Sequence, residues 1–142
     1  MLIKDIEEEI VSEFSLFDDW MDKYNYLIEM GRSVDKLDEK FKKKEFLITG
    51  CQSQVWVYPE YREGKVFFKA DSDALITKGI VGLLIRVMSG QPPKDIVDAD
   101  LAFIDRIGLK EHLSQTRSNG LVNMIKQMKL YALALQSKHS SN

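Results

Sequence analysis

The sequence has few of the residues that build disulfide frameworks and metal sites. Its 142 residues include one cysteine, two histidines and three prolines. A single cysteine excludes an internal disulfide framework, and it excludes a cluster or zinc site made only of cysteines within one chain. Two histidines do not complete such a site. We therefore predict no bound metal and no cofactor.

Long apolar runs and a basic excess are also missing. No run approaches the roughly 18 apolar residues of a transmembrane helix, and the first residues lack the pattern of a secretory signal. The net charge is −2, whereas a dedicated nucleic-acid binder has a broad basic face. These features favour a protein of the reducing cytoplasm, with no membrane and no nucleic acid among its partners.

Most of the chain shows the apolar spacing of helices. Ser15 is predicted to cap the second helix and Gly31 to end it, and a central apolar helix is predicted between Asp73 and Gly90. Gly79 and Gly82 in that helix predict close packing, most simply against the sheet. The other predicted helices span residues 3–14, 16–30, 94–98, 100–107 and about 118–136.

The middle of the chain has a different pattern. Residues 55–58 and 65–69 are rich in β-branched and aromatic side chains, and Glu63-Gly64 between them is a turn signal. They predict an antiparallel hairpin, with a third, shorter strand over residues 46–49. The fold class is thus α+β: a sheet of about three strands with several helices on one face. The length fits a single domain over residues 1–142.

Cys51 is the strongest candidate for chemistry. It stands in Gly50-Cys51-Gln52-Ser53-Gln54, a polar and flexible stretch between two strand-like runs. A cysteine in such a loop differs from the usual buried, inert cysteine. Nearby cations would favour its thiolate, and both the lysines of residues 40–44 and Arg117 are candidates.

The stretch GCQSQVW, from Gly50 to Trp56, resembles the signature of the SufE family of cysteine desulfuration proteins. Further segments match in order and spacing: YNYLIEMGR before the cysteine, and DSDALI, then Gly79 and Ile80, after it. Arg117-Ser118-Asn119-Gly120-Leu121 resembles a later family segment. The resemblance extends from Tyr24 to the last helix.

The resemblance implies a function. The family takes sulfane sulfur from a pyridoxal-phosphate cysteine desulfurase and passes it on for iron–sulfur cluster assembly. It implies that Cys51 carries the sulfur as a persulfide and that Arg117 lies near it or at the partner interface. Gly50, Gln52, Ser53 and Asp73 are then predicted to bind the partner or support the thiolate. The implied fold is the α+β fold that the family shares with the scaffold IscU.

The implied partners are a SufS-like cysteine desulfurase and a downstream iron–sulfur scaffold complex. The protein would activate the desulfurase as a sulfurtransferase-like accessory, as a monomer or weak homodimer. Whether it counts as an enzyme in its own right stays open. We also expect Cys51 to be sheltered until a partner docks, with Gly50 as the pivot of its loop.

Two other interpretations remain open at this point. Cys51 and His112 could form the nucleophile and base of a hydrolase or transferase, but the sequence does not bring them together. Alternatively, the chain is a non-catalytic adaptor that binds a partner through its acidic first helix. Asp71 and Asp73 are first of all candidates for turn and cap positions.

Overall fold

A computed structural model describes residues 1–34, 36–51 and 53–139. Over these residues the fold is α+β, as predicted. Two strands form an antiparallel sheet, which the helices Leu75–Met88 and Gln115–His139 and a short 3₁₀ turn contact. In chain order the elements are α1 (Ile3–Phe14), α2 (Trp20–Arg32), 3₁₀ turns at Glu39–Phe41 and Lys44–Phe46, β1 (Val55–Arg62), β2 (Lys65–Ser72), α3 (Leu75–Met88), α4 (Pro93–Asp98), α5 (Phe103–Arg106), a 3₁₀ turn at Lys110–His112 and α6 (Gln115–His139).

The predicted hairpin is present. β1 and β2 pair in register from Val55 opposite Ser72 to Arg62 opposite Lys65. Glu63 and Gly64 make the turn with φ of 51° and 80°. Positive φ at both positions matches the twist of a two-residue hairpin turn, which explains why a glycine stands there.

The third predicted strand, over residues 46–49, is wrong. Lys44–Phe46 forms a 3₁₀ turn, and Leu47 makes only an isolated bridge with Trp56. The Phe46 ring packs edge-on against Tyr58, with 4.9 Å between centroids. In this segment, aromatic packing thus outweighs the strand propensity of the side chains.

The central helix α3 contacts both α2 and β2, but its glycines Gly79 and Gly82 pack on α2, rather than on the sheet as predicted. A Cβ at Gly79 would lie 2.5 Å from the carbonyl oxygen of Leu27, and one at Gly82 would lie 2.9 Å from that of Met30. Gly31, predicted to end α2, is instead inside it, where a Cβ would lie 2.8 Å from the Gly79 amide nitrogen. The helix pair therefore depends on direct backbone contact.

Several helix ends also differ from the predictions. Asp19 caps α2 by accepting a hydrogen bond from the Asp22 amide at 2.9 Å, whereas the Ser15 hydroxyl donates to the Ser12 carbonyl at the end of α1. Both residues are cap formers, so local sequence alone did not decide between them. α6 begins at Gln115, three residues before the predicted start.

The first helix joins the core along one face and is fixed to α3 by charge. Ile3, Ile10 and Phe14 are buried. The Arg86 guanidinium donates to both carboxylate oxygens of Glu13, at 2.5 and 2.6 Å. Among the described residues, no helix combines the length and apolarity needed to cross a membrane.

Candidate functional site around Cys51

The loop that carries Cys51 is closed at its base by backbone and side-chain hydrogen bonds. The Ile48 amide donates to the Val55 carbonyl at 2.8 Å. The Gln54 amide donates to Asp73 Oδ1 at 3.1 Å, and the Asp73 amide donates to the Gln54 carbonyl at 3.3 Å. Asp73 thus fastens the end of the loop to the start of α3.

Gly50 gives the loop its bend immediately before the cysteine. Its φ is +82°, a conformation that residues with a Cβ rarely adopt. A Cβ there would also lie 2.2 Å from Nδ2 of Asn123 on α6. The backbone conformation is therefore what favours a glycine here, since the Asn123 amide is the end of a side chain that can rotate away.

The thiol of Cys51 rests against the first turns of α6. Its Sγ lies 3.8 Å from the Gly120 carbonyl oxygen, within reach of a weak S–H hydrogen bond. A Cβ at Gly120 would lie only 3.2 Å from the sulfur. The lack of a side chain at Gly120 therefore leaves the space that the thiol occupies.

Burial determines the protonation of the resting thiol. Cys51 is half-buried, and this desolvation raises the pKa of its thiol above the ordinary value. The neutral thiol is thus the resting form at neutral pH. A thiol in this state is protected from oxidation but is also a poor nucleophile.

Groups that would favour the thiolate are nevertheless close. Arg117, with an always-charged guanidinium, lines the same small pocket as Cys51, and so does Thr116. Both lie in the first turn of α6, where the amide of Arg117 donates to Oγ of Ser114 at 3.2 Å. The start of α6 therefore borders the pocket of the Cys51 sulfur.

The pocket beside the thiol is small. Its cavity volume is about 10 Å³, which is roughly the room of one water molecule. Ser53, Thr77, Ile80, Gly120 and Met124 complete its lining. A cavity of this size has room for one further atom bound to the sulfur, but it is too small for an organic substrate.

Lys42, from the predicted basic run, also lies near the motif. Its ammonium lies 2.8 Å from Asp71 Oδ2 and 5.8 Å from the centre of the Trp56 ring. The hydrogen bonds to Asp71 and then to Glu39 raise the pKa of the ammonium, so it stays charged. Asp71 is thus an ion-pair residue that holds the 3₁₀ segment against the end of β2.

The predicted site residues fall into three groups. Cys51, Ser53 and Arg117 come together in one pocket, while Gly50 and Asp73 shape and fasten the loop that presents the thiol. Gln52 lies outside the described residues. His112 is elsewhere: its ring stacks on Trp20 at 3.8 Å, and its Nδ1 lies 3.1 Å from the Gly108 carbonyl oxygen.

Sequence reasoning missed the part that α6 plays through Gly120 and Asn123. One signal was available for Gly120, because a glycine near the start of a helix costs about 1 kcal/mol in helix propensity and so needs a packing reason. No comparable signal marks Asn123 or Thr77, whose places depend on how α3 and α6 meet.

Comparison with known proteins now defines the class. The family model for SufE, described as an Fe-S metabolism associated domain, matches residues 8–132. The chain therefore belongs to the SufE family, and its family is associated with iron–sulfur metabolism. This confirms the resemblance found in the sequence.

Individual relatives agree with this assignment. A SufE-like protein of Rhizobium etli is 37% identical over 127 residues, covering 86% of each chain, and one of Synechocystis is 35% identical, covering 90% of this chain and 80% of that protein. SufE-like protein 1, chloroplastic/mitochondrial, of Arabidopsis thaliana is 39% identical over 92% of this chain, which spans only 36% of the plant protein.

The fold is also seen in a solved structure. The solution structure of a hypothetical protein from Thermus thermophilus matches with a TM-score of 0.78 over 93% of this chain and 96% of that one. Sequence identity is 18%, so this likeness concerns the fold alone.

Proposed function

We propose that this protein is a sulfur acceptor and relay, which takes persulfide sulfur from a cysteine desulfurase onto Cys51 and stimulates that enzyme. It then passes the sulfur to a scaffold complex for iron–sulfur cluster assembly. The observation that carries the proposal is the position of the Cys51 sulfur, which is half-buried against Gly120 in a pocket that Arg117 also lines. The chain that holds this thiol is a member of the SufE family.

The transfer proceeds by thiol–persulfide exchange. Cys51 loses its proton, and its thiolate attacks the outer sulfur of the desulfurase persulfide. A new S–S bond forms on Cys51 as the S–S bond on the desulfurase breaks, and the desulfurase cysteine leaves as a thiolate that takes up a proton. One sulfane sulfur moves and no oxidant or reductant is consumed.

The resting geometry supports a transfer that depends on docking. A half-buried thiol with a raised pKa reacts slowly with solutes. A partner that stabilises an open form of the loop through its own contacts would expose the sulfur and remove the desolvation. Arg117, which lines the same pocket, would then be the cation available to favour the thiolate.

A lone cysteine also suits a relay. A second cysteine next to a persulfide could attack it, forming a disulfide and releasing sulfide. The 142 residues contain only Cys51, so the chain offers no internal thiol for that reaction. The proposed setting is a single SufE-like domain in the reducing cytoplasm, where the thiol stays free.

The two other interpretations have less support. The Cys51 pocket lining does not include His112, whose ring is engaged with Trp20. Among the described residues, the pocket thus offers no histidine base to a hydrolase or transferase. A purely adaptor role leaves unexplained why Gly120 makes room for the thiol.

The test is an intact-mass measurement after mixing the protein with a cysteine desulfurase and cysteine. A gain of about 32 Da, one sulfur atom, is expected on the wild type. Cys51→Ser should show no gain and no stimulation of the desulfurase, with an unchanged melting temperature. Ser137→Ala, an exposed serine near the end of α6 and outside the lining of the Cys51 pocket, is the control and should still gain sulfur. Stimulation that persists in Cys51→Ser would favour the adaptor, and thiol-dependent hydrolysis without any partner would favour the hydrolase.

A further inference from the structure

A second pocket lies between the start of α1 and the end of α4, away from the residues that contact Cys51. Its volume is about 360 Å³, within the range of small-ligand pockets. Four carboxylates line it, from Glu7, Asp95, Asp98 and Asp100, together with one basic residue, Lys4. We call it the α1–α4 pocket. The excess of carboxylates over basic residues suits a cation.

Glu7 is the unusual residue in the lining of the α1–α4 pocket. It is only 8% exposed, and its Oε1 is buried and accepts no hydrogen bond from any described residue. Its position is also unusual, since it falls on the apolar face of α1 between Ile3 and Ile10. Burial, followed by the charge of Asp100, raises the pKa of the Glu7 carboxyl. A buried carboxyl without a partner costs stability.

Burial raises the pKa of this carboxyl and the charges of Arg106 and Lys4 act to lower it, but neither residue donates a hydrogen bond to Oε1. Arg106 donates to both carboxylate oxygens of Glu8, and the Lys94 ammonium lies 3.9 Å from Asp98. Lys4 belongs to the wall, yet Glu7 Oε1 has no hydrogen bond from it. A donor from outside this chain would complete the pocket.

The chemistry of the wall indicates the kind of donor. No cluster of side chains suited to a metal ion occurs in residues 1–34, 36–51 and 53–139, so the cation is organic. Leu2 and Ile3 give the pocket an apolar side that suits the methylene groups of a long side chain. A planar guanidinium can bridge two carboxylates, here Glu7 and Asp100, which an ammonium does less well.

We propose that the α1–α4 pocket binds a guanidinium group on an aliphatic stem, the arginine side chain of a partner protein. Glu7 is the buried carboxylate that accepts from it, and Asp100 is the second acceptor. This binding site is independent of sulfur transfer at Cys51. It would give the protein a second point of attachment, on a part of the surface distinct from the thiol loop.

The test is a titration of the ¹⁵N-labelled full chain with N-acetyl-arginine amide at fixed ionic strength, followed by amide chemical shifts. We expect saturable shifts at residues 3–7 and 98–100, with weaker binding of N-acetyl-lysine amide. Glu7→Gln should weaken binding about tenfold, as expected for the loss of a charged hydrogen bond. Glu63→Gln, an exposed glutamate in the hairpin turn, is the matched control and should bind as the wild type does.

A second variant guards against a folding defect in Glu7→Gln. Asp100→Asn keeps the oxygen that accepts from the Ala102 amide at 3.2 Å, so it preserves the local turn while it removes one charge. It should weaken binding several-fold. Shifts that never saturate, or equal affinity in wild type, Glu7→Gln and Asp100→Asn, would overturn the site. Binding of free agmatine without binding of N-acetyl-arginine amide would overturn the assignment to a protein side chain.

Discussion

Two regions of this molecule use a helical glycine to allow a close approach, and they do so for different purposes. At the α2–α3 interface, the position of a Cβ on Gly79 lies 2.5 Å from a backbone oxygen of Leu27. At the Cys51 site, the position of a Cβ on Gly120 lies 3.2 Å from a side-chain sulfur. A backbone oxygen inside a helix moves only with the whole helix, whereas a sulfur on a loop moves with the loop. The first glycine fixes the fold, and the second seats the thiol that, in the proposed function, moves out when a partner docks.

The burial of the two regions follows the same division. Leu27, Ile80, Leu83 and Leu84 around the helix pair are at most 1% exposed, as expected for a close-packed core. Arg117 and Asp73 at the thiol site are exposed, and Cys51 is half-buried. A region held by a few hydrogen bonds opens at lower cost than one held by core packing. Four variants test this comparison, starting with the one expected to have the largest effect on stability.

Gly79→Ala should have the largest effect. The added methyl group forces α2 and α3 apart. The cost of this overpacking outweighs the roughly 1 kcal/mol gained in helix propensity, so the free energy of unfolding should fall by about 2 kcal/mol or more. Urea unfolding followed by circular dichroism measures the free energy of unfolding. A stability equal to that of the wild type would show that the helix pair is not fixed by backbone contact.

Gly120→Ala is the matched change at the other helical glycine. The same gain in propensity should offset the contact with the sulfur, so the free energy of unfolding should change by less than about 1 kcal/mol. The methyl group displaces the thiol towards solvent, so iodoacetamide should alkylate Cys51 several-fold faster.

The pH dependence of that alkylation sharpens the prediction. Burial raises the wild-type thiol pKa, so the rate should rise at a pH above the ordinary value of about 8.5. In Gly120→Ala the rise should move to lower pH, because the displaced thiol is better solvated. An unchanged rate and an unchanged pH profile would show that Gly120 does not seat the sulfur.

Asp73→Ala removes the acceptor that holds the Gln54 amide at 3.1 Å. The loss should cost about 1 kcal/mol and should speed the alkylation of Cys51 several-fold, since the end of the loop is freed. Asp73→Asn keeps an oxygen at the same place and is the control, so its alkylation should stay near the wild-type rate. Equal rates in both variants and the wild type would remove Asp73 from the loop closure.

Arg117→Ala should have the smallest effect on stability, within about 0.5 kcal/mol, because the side chain is exposed. Its effect should appear in the rate of sulfur transfer from the desulfurase, which we expect to fall several-fold. Arg117→Lys should recover part of the rate, since it restores charge without the planar guanidinium. Lys126→Ala, an exposed cation further along α6, is the control. Transfer at the wild-type rate in Arg117→Ala would leave the guanidinium without a role at the thiol.

Local patterns were sufficient for part of the structure. The hairpin turn at Glu63-Gly64, α1 and the α+β class were all predictable, because turn residues and hydrophobic periodicity are properties of neighbouring residues. The same holds for Cys51, whose polar and flexible neighbours marked a loop, and whose motif indicated the family. Glu7 was also visible in principle, as an acid on the apolar face of α1, but its lack of a partner depends on α4 and α5.

The sequence by itself determined which residues are chemically able to act: one cysteine on a loop, a conformationally free glycine before it and an arginine at the start of the last helix. Only the tertiary structure decided which of them meet. The meeting of Cys51 with Gly120 and Arg117, the packing of Gly79 on α2 instead of the sheet, and the loss of the strand at residues 46–49 all depend on contacts between segments far apart in the chain. Such contacts are chosen by the packing of the whole core, and no local propensity carries that information.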